Sequence, residues 1–161
     1  MSRFAILFLL FFAFARCDEQ TADPKSAPEI YYSLSQQVED DFSSLLAREW
    51  VAADSLSPTF GYSNSDVWLK LIPPVTFATD ESYIIEISYA QLDYVRLIYR
   101  TAEGNVVESE SGDTIRFSKR DLPATTFSFQ MERNFGGIVF VQIIHGRNFY
   151  LRNAVQWIRI R

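Results

Sequence analysis

The sequence predicts an all-β domain: a two-sheet antiparallel β-sandwich of jelly-roll type, with about eight strands and at most one short helix. Three observations predict it. Aromatic residues make up 16% of the chain, with fourteen Phe and eight Tyr. Together with Val and Ile they recur in short alternating or continuous runs, which suit a pleated, half-buried surface. Turn residues punctuate those runs, as in Ala102-Glu103-Gly104-Asn105 and Gly112-Asp113, and only the segment after Asp40-Asp41 has helical character.

The first residues are not part of that fold. Arg3 gives a short basic start, and Phe4 to Ala15 is an unbroken apolar run of 12 residues, shorter than the roughly 20 a membrane-spanning helix needs. Ala13-Phe14-Ala15 supplies the small-x-small pattern of a cleavage site. Residues 1–17 therefore read as an export leader, and the mature domain is expected outside the cytoplasm, in the periplasm or cell envelope. Cys17 is the only cysteine and has two readings. It is a candidate lipidation site following a lipobox weakened by Arg16, or an unpaired residue after cleavage at Ala15. No intramolecular disulfide is available, so the fold must rest on its hydrophobic core. Residues 18–29, polar and carrying two prolines, read as a flexible tether. The sandwich is expected over residues 30–161.

The elements follow in order. Ile30 to Val38 is a first strand. Ser43 or Ser44 can cap a single helical turn carrying Leu45, Leu46 and Trp50, with Trp50 as a lid over one end of the core. Asp66 to Ile72 alternates Val67, Leu69 and Leu71 against Trp68, Lys70 and Ile72, and Pro73-Pro74 ends it. Ser82 to Tyr89 is the next strand. Tyr94 to Thr101 and Val106 to Ser111 form a hairpin, with Gly104 and Asn105 supplying the turn. Thr125 to Arg133, Gly137 to His145 and Asn153 to Arg161 complete eight strands, the jelly-roll count.

Composition excludes several functions. A net charge of −5 with scattered Lys and Arg argues against nucleic acid, which asks for a clustered basic face. The single histidine, His145, with one cysteine, is too little for a usual zinc site, and there is no Gly-x-Ser-x-Gly elbow. His145 reads as a strand-end or rim residue. Glu108 and Glu110 share a strand face at about 6.6 Å of rise, near the inverting-glycosidase range, yet their neighbours Ser109 and Ser111 suggest a solvated face. The adjacent acids Asp40-Asp41 and Asp80-Glu81 are only weak calcium signals. The chain reads as non-enzymatic, and no cofactor or metal is implied.

Several motifs occur in a fixed order: Gly61-Tyr62, then Trp68, Leu92-Asp93 followed by the strand Val95 to Tyr99, Ser111-Gly112-Asp113, and Arg120. In that order and spacing the chain resembles the type 2 extracellular sensing domain of bacterial seven-transmembrane receptors with diverse intracellular signalling modules. The resemblance runs from about Ile30 to near the C-terminus. It implies a β-sandwich similar to carbohydrate-binding modules, outside the inner membrane, and a role in signal transduction. Receptors of this kind continue into seven spans and a signalling module, so the chain reads as a stand-alone exported relative or the sensing part of an interrupted receptor.

The same motifs nominate the ligand-binding candidates Tyr62, Trp68, Asp93, Tyr94 and Arg120. Trp68 has two roles open to it, core anchor or sugar-stacking surface. Asp93 and Arg120 can pair as a bridge between loops, or together hold a ligand carboxylate or hydroxyl pair. The expected function is an exported ligand-binding sensor module for carbohydrate or another small polar molecule. The other class is a protein-interaction or structural module of the envelope, docking on a membrane receptor or envelope protein. The membrane itself enters only through a lipid anchor at Cys17.

Overall fold

Alternation writes the two faces of nearly every long strand. In Ser82–Ile87 the buried positions are Tyr83, Ile85 and Ile87, the odd members of a period-two pattern. The computed structural model describes residues 28–35, 40–54, 58–61, 65–73, 82–89, 91–132, 135–145, 149–150 and 155–160. Among them the strands are β1 (Glu29–Ser35), β2 (Val51–Ala52), β3 (Thr59–Gly61), β4 (Asp66–Ile72), β5 (Ser82–Ile87), β6 (Tyr94–Thr101), β7 (Val106–Ser111), β8 (Phe127–Met131), β9 (Phe135–Ile144), β10 (Phe149–Tyr150) and β11 (Val155–Ile160). Among the described residues one helix, α1 (Phe42–Ala47), and one 3-10 turn at Phe117–Lys119 accompany them.

Eight of these strands have five or more residues, and they form two antiparallel sheets. One has the order β2-β1-β4-β9-β6-β7, the other β11-β5-β8, while β10 and β3 pair separately. The chain changes sheet from β4 to β5, β5 to β6, β7 to β8, β8 to β9 and β9 to β11, so each crossing helps hold the sheets face to face. The all-β sandwich expected from the sequence is the architecture found.

Between the sheets lies one core. The larger sheet contributes Val67, Leu69 and Leu71 from β4, Val95, Leu97 and Tyr99 from β6, and Val139, Val141 and Ile143 from β9. The smaller sheet contributes Tyr83, Ile85 and Ile87 from β5 with Phe127, Phe129 and Met131 from β8. Hydrophobic burial on this scale is what a fold without a disulfide relies on.

A second apolar layer covers the outer face of the larger sheet. Phe42 and Leu45 of α1 pack with Trp68, Ile98 and Phe140, and Trp50 and Ile138 close the cluster. Here the expectations need two corrections. The cap of α1 is Asp41, whose Oδ1 accepts from the Ser44 N–H at 2.7 Å, because Asp41 stands one residue before the first helical position. Trp50 lies beyond the helix, against the outer face and not over an end of the core: its indole stacks on Phe140 at 5.5 Å and donates to the Leu45 carbonyl at 3.1 Å.

The register places all of one sandwich end together. β1 and β9 finish there, β4 and β6 begin there, and β7 finishes there, since Ser35 pairs with Asp66, Tyr94 with Ile144 and Val95 with Ser111. The leader expected over residues 1–17 with Cys17, the stretch 18–27, Tyr62, Pro74, Asp80 and Glu81 lie outside the described residues.

Candidate functional site

At that end the loops are stitched by backbone. Asp113 N–H donates to the Leu92 carbonyl at 2.9 Å, and Thr114 gives the Asp93 carbonyl both its N–H, at 3.0 Å, and its hydroxyl, at 2.7 Å. Gly112 makes this possible. Its φ is +127°, and a Cβ there would collide with the Asp93 carbonyl oxygen and stand 2.6 Å from the Tyr94 Cα. Only glycine fits such an approach.

Arg120 reinforces the knot from the side. Its Nη2 donates to the Gly112 carbonyl at 2.9 Å and lies 3.9 Å from Asp113 Oδ1. The guanidinium is 5.3 Å from the Phe127 ring centroid and 5.4 Å from that of Phe117. The expected Asp93–Arg120 pair is therefore replaced by Arg120–Asp113. The reason is that Asp93 turns elsewhere: its Oδ2 meets His145 Nδ1 at 3.1 Å. The Asp93 side chain is 50% exposed whereas that of His145 is 7% exposed, and Tyr89 stands edge-on to the imidazole at 6.3 Å.

Tyr94 begins β6 on the outer face. Its hydroxyl donates to Glu110 Oε1 at 2.6 Å, and burial first, then this bond to a carboxylate, push the phenol above its ordinary range. Arg96 and Glu108 pair beside it at 2.7 Å, so both glutamates weighed as catalytic carboxylates are held by cross-strand partners. Trp68 is fully buried under α1. It lies on β4, with β9 between it and β6, and its enclosed ring offers no face to a ligand. The structure thus gathers Asp93, Tyr94 and Arg120 around Gly112 and leaves Trp68 apart, while Tyr62 is among the residues not described.

Sequence reasoning passed over the contact of His145 with Asp93 and the Tyr89 ring packed against it. His145 does follow a strand end, and the missing signal was the pairing of β9 with β6, which sets it beside Asp93. Among the described residues no group of three or more His, Cys, Asp or Glu is placed to hold a metal ion. A cavity of about 340 Å³ runs along Asp121, Gln130, Met131 and Glu132 and includes none of the candidate residues.

The knot uses Leu92-Asp93, Ser111-Gly112-Asp113 and Arg120, the motifs on which the resemblance stood. The family model described as 7TMR-DISM extracellular 2 matches residues 31–152, well over half of the chain. The chain belongs to this family. A comparison with curated proteins finds no match. Membership makes the sandwich a type 2 extracellular domain of seven-transmembrane receptors, a sensor module working outside the cytoplasm. Within this extracellular domain, Gly112 and Arg120 have a physical role independent of any ligand: they join the start of β6 to the end of β7.

Proposed function

We propose that the domain is a non-catalytic sensor that binds a small polar ligand, with carbohydrate as the favoured class, at the end of the sandwich where Asp93, Tyr94, Tyr89 and His145 meet. The observation that carries this is the half-exposed Asp93 carboxylate, held by His145, against whose ring Tyr89 packs edge-on, while the Asp93 backbone is fixed by the Gly112 knot. Polyols suit such a mixture, since ring faces take their apolar sides and charged groups take their hydroxyls. In this reading Arg120 supports the site through its hydrogen bond to the Gly112 carbonyl.

Calorimetry and thermal shift of the purified protein against sugars, polyols and small metabolites test the proposal. A binder should emerge whose affinity falls at least about tenfold, 1.4 kcal/mol, in Asp93→Asn, with melting unchanged because the backbone stitch remains. A broad panel without a binder, or affinity indifferent to Asp93→Asn, would overturn it.

A further inference from the structure

Phe117 is 55% exposed, and its backbone is fixed by a turn while a guanidinium packs on its ring. It opens the 3-10 turn Phe117–Lys119, closed by hydrogen bonds from Lys119 N–H to the Arg116 carbonyl at 2.8 Å and from Arg120 N–H to the Phe117 carbonyl at 3.3 Å. Arg120 supports it, 12% exposed, with its guanidinium between the Phe117 and Phe127 rings and fastened to Gly112. A ring ordered before binding loses little further freedom on contact, which is the advantage of preorganisation. Through Gly112 the turn is tied to the same knot as Asp93.

The charge around the ring runs against the chain as a whole. Residues 116–120 carry three of the fifteen Lys and Arg and no acid, in a chain of net −5. Arg116 and Lys119, which flank Phe117 in the sequence, are both exposed. The nearest acids in sequence are Asp113, 3.9 Å from Arg120, and Asp121.

The geometry points to this turn as a platform for an anionic saccharide, one bearing carboxylate or phosphate groups. It rests on the ligand-binding reading above and narrows its ligand class. Phe117 supplies a face for the apolar side of a sugar ring, and Arg116 and Lys119 supply charge-assisted hydrogen bonds to the acid groups. A guanidinium matches a carboxylate or phosphate two-pronged, and the ammonium adds a point charge.

The test is calorimetry of the whole protein with three oligosaccharides of equal length: neutral, uronate-bearing and phosphorylated. At least one acidic probe should bind about tenfold or more tighter than the neutral one, and the stronger of the two identifies the acid group. That advantage should shrink in 1 M salt, where screening acts over about 3 Å. The double variant Arg116→Gln/Lys119→Gln should lose it with melting unchanged, and Phe117→Ser should weaken the acidic probe about tenfold. Equal binding of acidic and neutral probes, or an acidic preference surviving the double variant, overturns this inference alone. Absence of binding by all three probes also overturns this inference, while the function proposed above stands or falls on its own broader panel of sugars, polyols and metabolites.

Discussion

Asp93 divides its work between atoms: the carbonyl accepts from Thr114, and the carboxylate meets His145. Side-chain substitutions there should therefore spare the fold, whereas Gly112 has no such latitude. Gly112→Ala sets a Cβ against the Asp93 and Tyr94 backbone at a φ of +127° and should lower stability by about 2 kcal/mol or more, read as a reduced urea midpoint at constant slope. Arg120→Gln should melt several degrees lower, because the Gly112 carbonyl loses its donor and the rings lose their filling. Unchanged melting with lost ligand binding would move Arg120 from support to site. Trp68 is fully buried and its indole N–H meets no acceptor among the described residues. Trp68→Ala should cost about 3–5 kcal/mol, and Trp68→Phe distinctly less, since it also removes an unsatisfied donor; equal losses in chemical denaturation would contradict this. The family motif residues were visible in the sequence, and so was the choice facing Trp68. The partners of Asp93 and Arg120 were not, because which carboxylate a guanidinium meets depends on loop paths that no local pattern encodes.

At the scale of elements, β4, β6 and β7 were legible to the residue, because alternation and turn residues bounded them on both sides. The short strands β2, β3 and β10, of two or three residues, were not, since so few positions show no period. Helix α1 is held at both ends. Arg48, just past its last turn, pairs with Asp40 at 2.6 Å, their side chains 14% and 3% exposed. Asp40→Ala would leave that guanidinium without its partner, and the expected loss is on the order of 3 kcal/mol, with Arg48→Met in the same chain restoring part of it. The Asp41 cap has its own signature. Hydrogen bonding from the Ser44 N–H holds the Asp41 carboxyl below its ordinary value. A lowered folded pKa means that the cap's contribution is fully present above the usual aspartate range, about 3.9, and fades as acid protonates the folded carboxyl. Trp50 fluorescence should follow that loss, and Asp41→Asn, which also caps, should flatten it.

For the molecule as a whole, the sandwich was legible because strand count, loop length and aromatic content agreed, while the division of strands between sheets required the pairings themselves. The leader expected over residues 1–17 makes a prediction at this scale. Fractionated cells should hold the domain outside the cytoplasm, and full-length protein with residues 1–17 intact in the cytosol would refute export. Palmitate incorporation should vanish in Cys17→Ser if that thiol is lipidated; label that persists would eliminate the lipoprotein reading. One feature of the register reaches further. Glu29 pairs with Ile72, and Ile160 pairs with Ser82, so β1 enters and β11 leaves at the end opposite Asp93. Strand β9, ten residues long, spans the distance, roughly 30 Å at about 3.4 Å per residue. The outer ends of β1 and β11 therefore lie at the pole opposite the proposed site. A ligand bound at that site would be felt at the opposite pole only by sliding or tilting whole strands. A message of that kind would travel as through a lever, by the stiffness of the ladders, and a softened ladder would blunt it while leaving affinity intact.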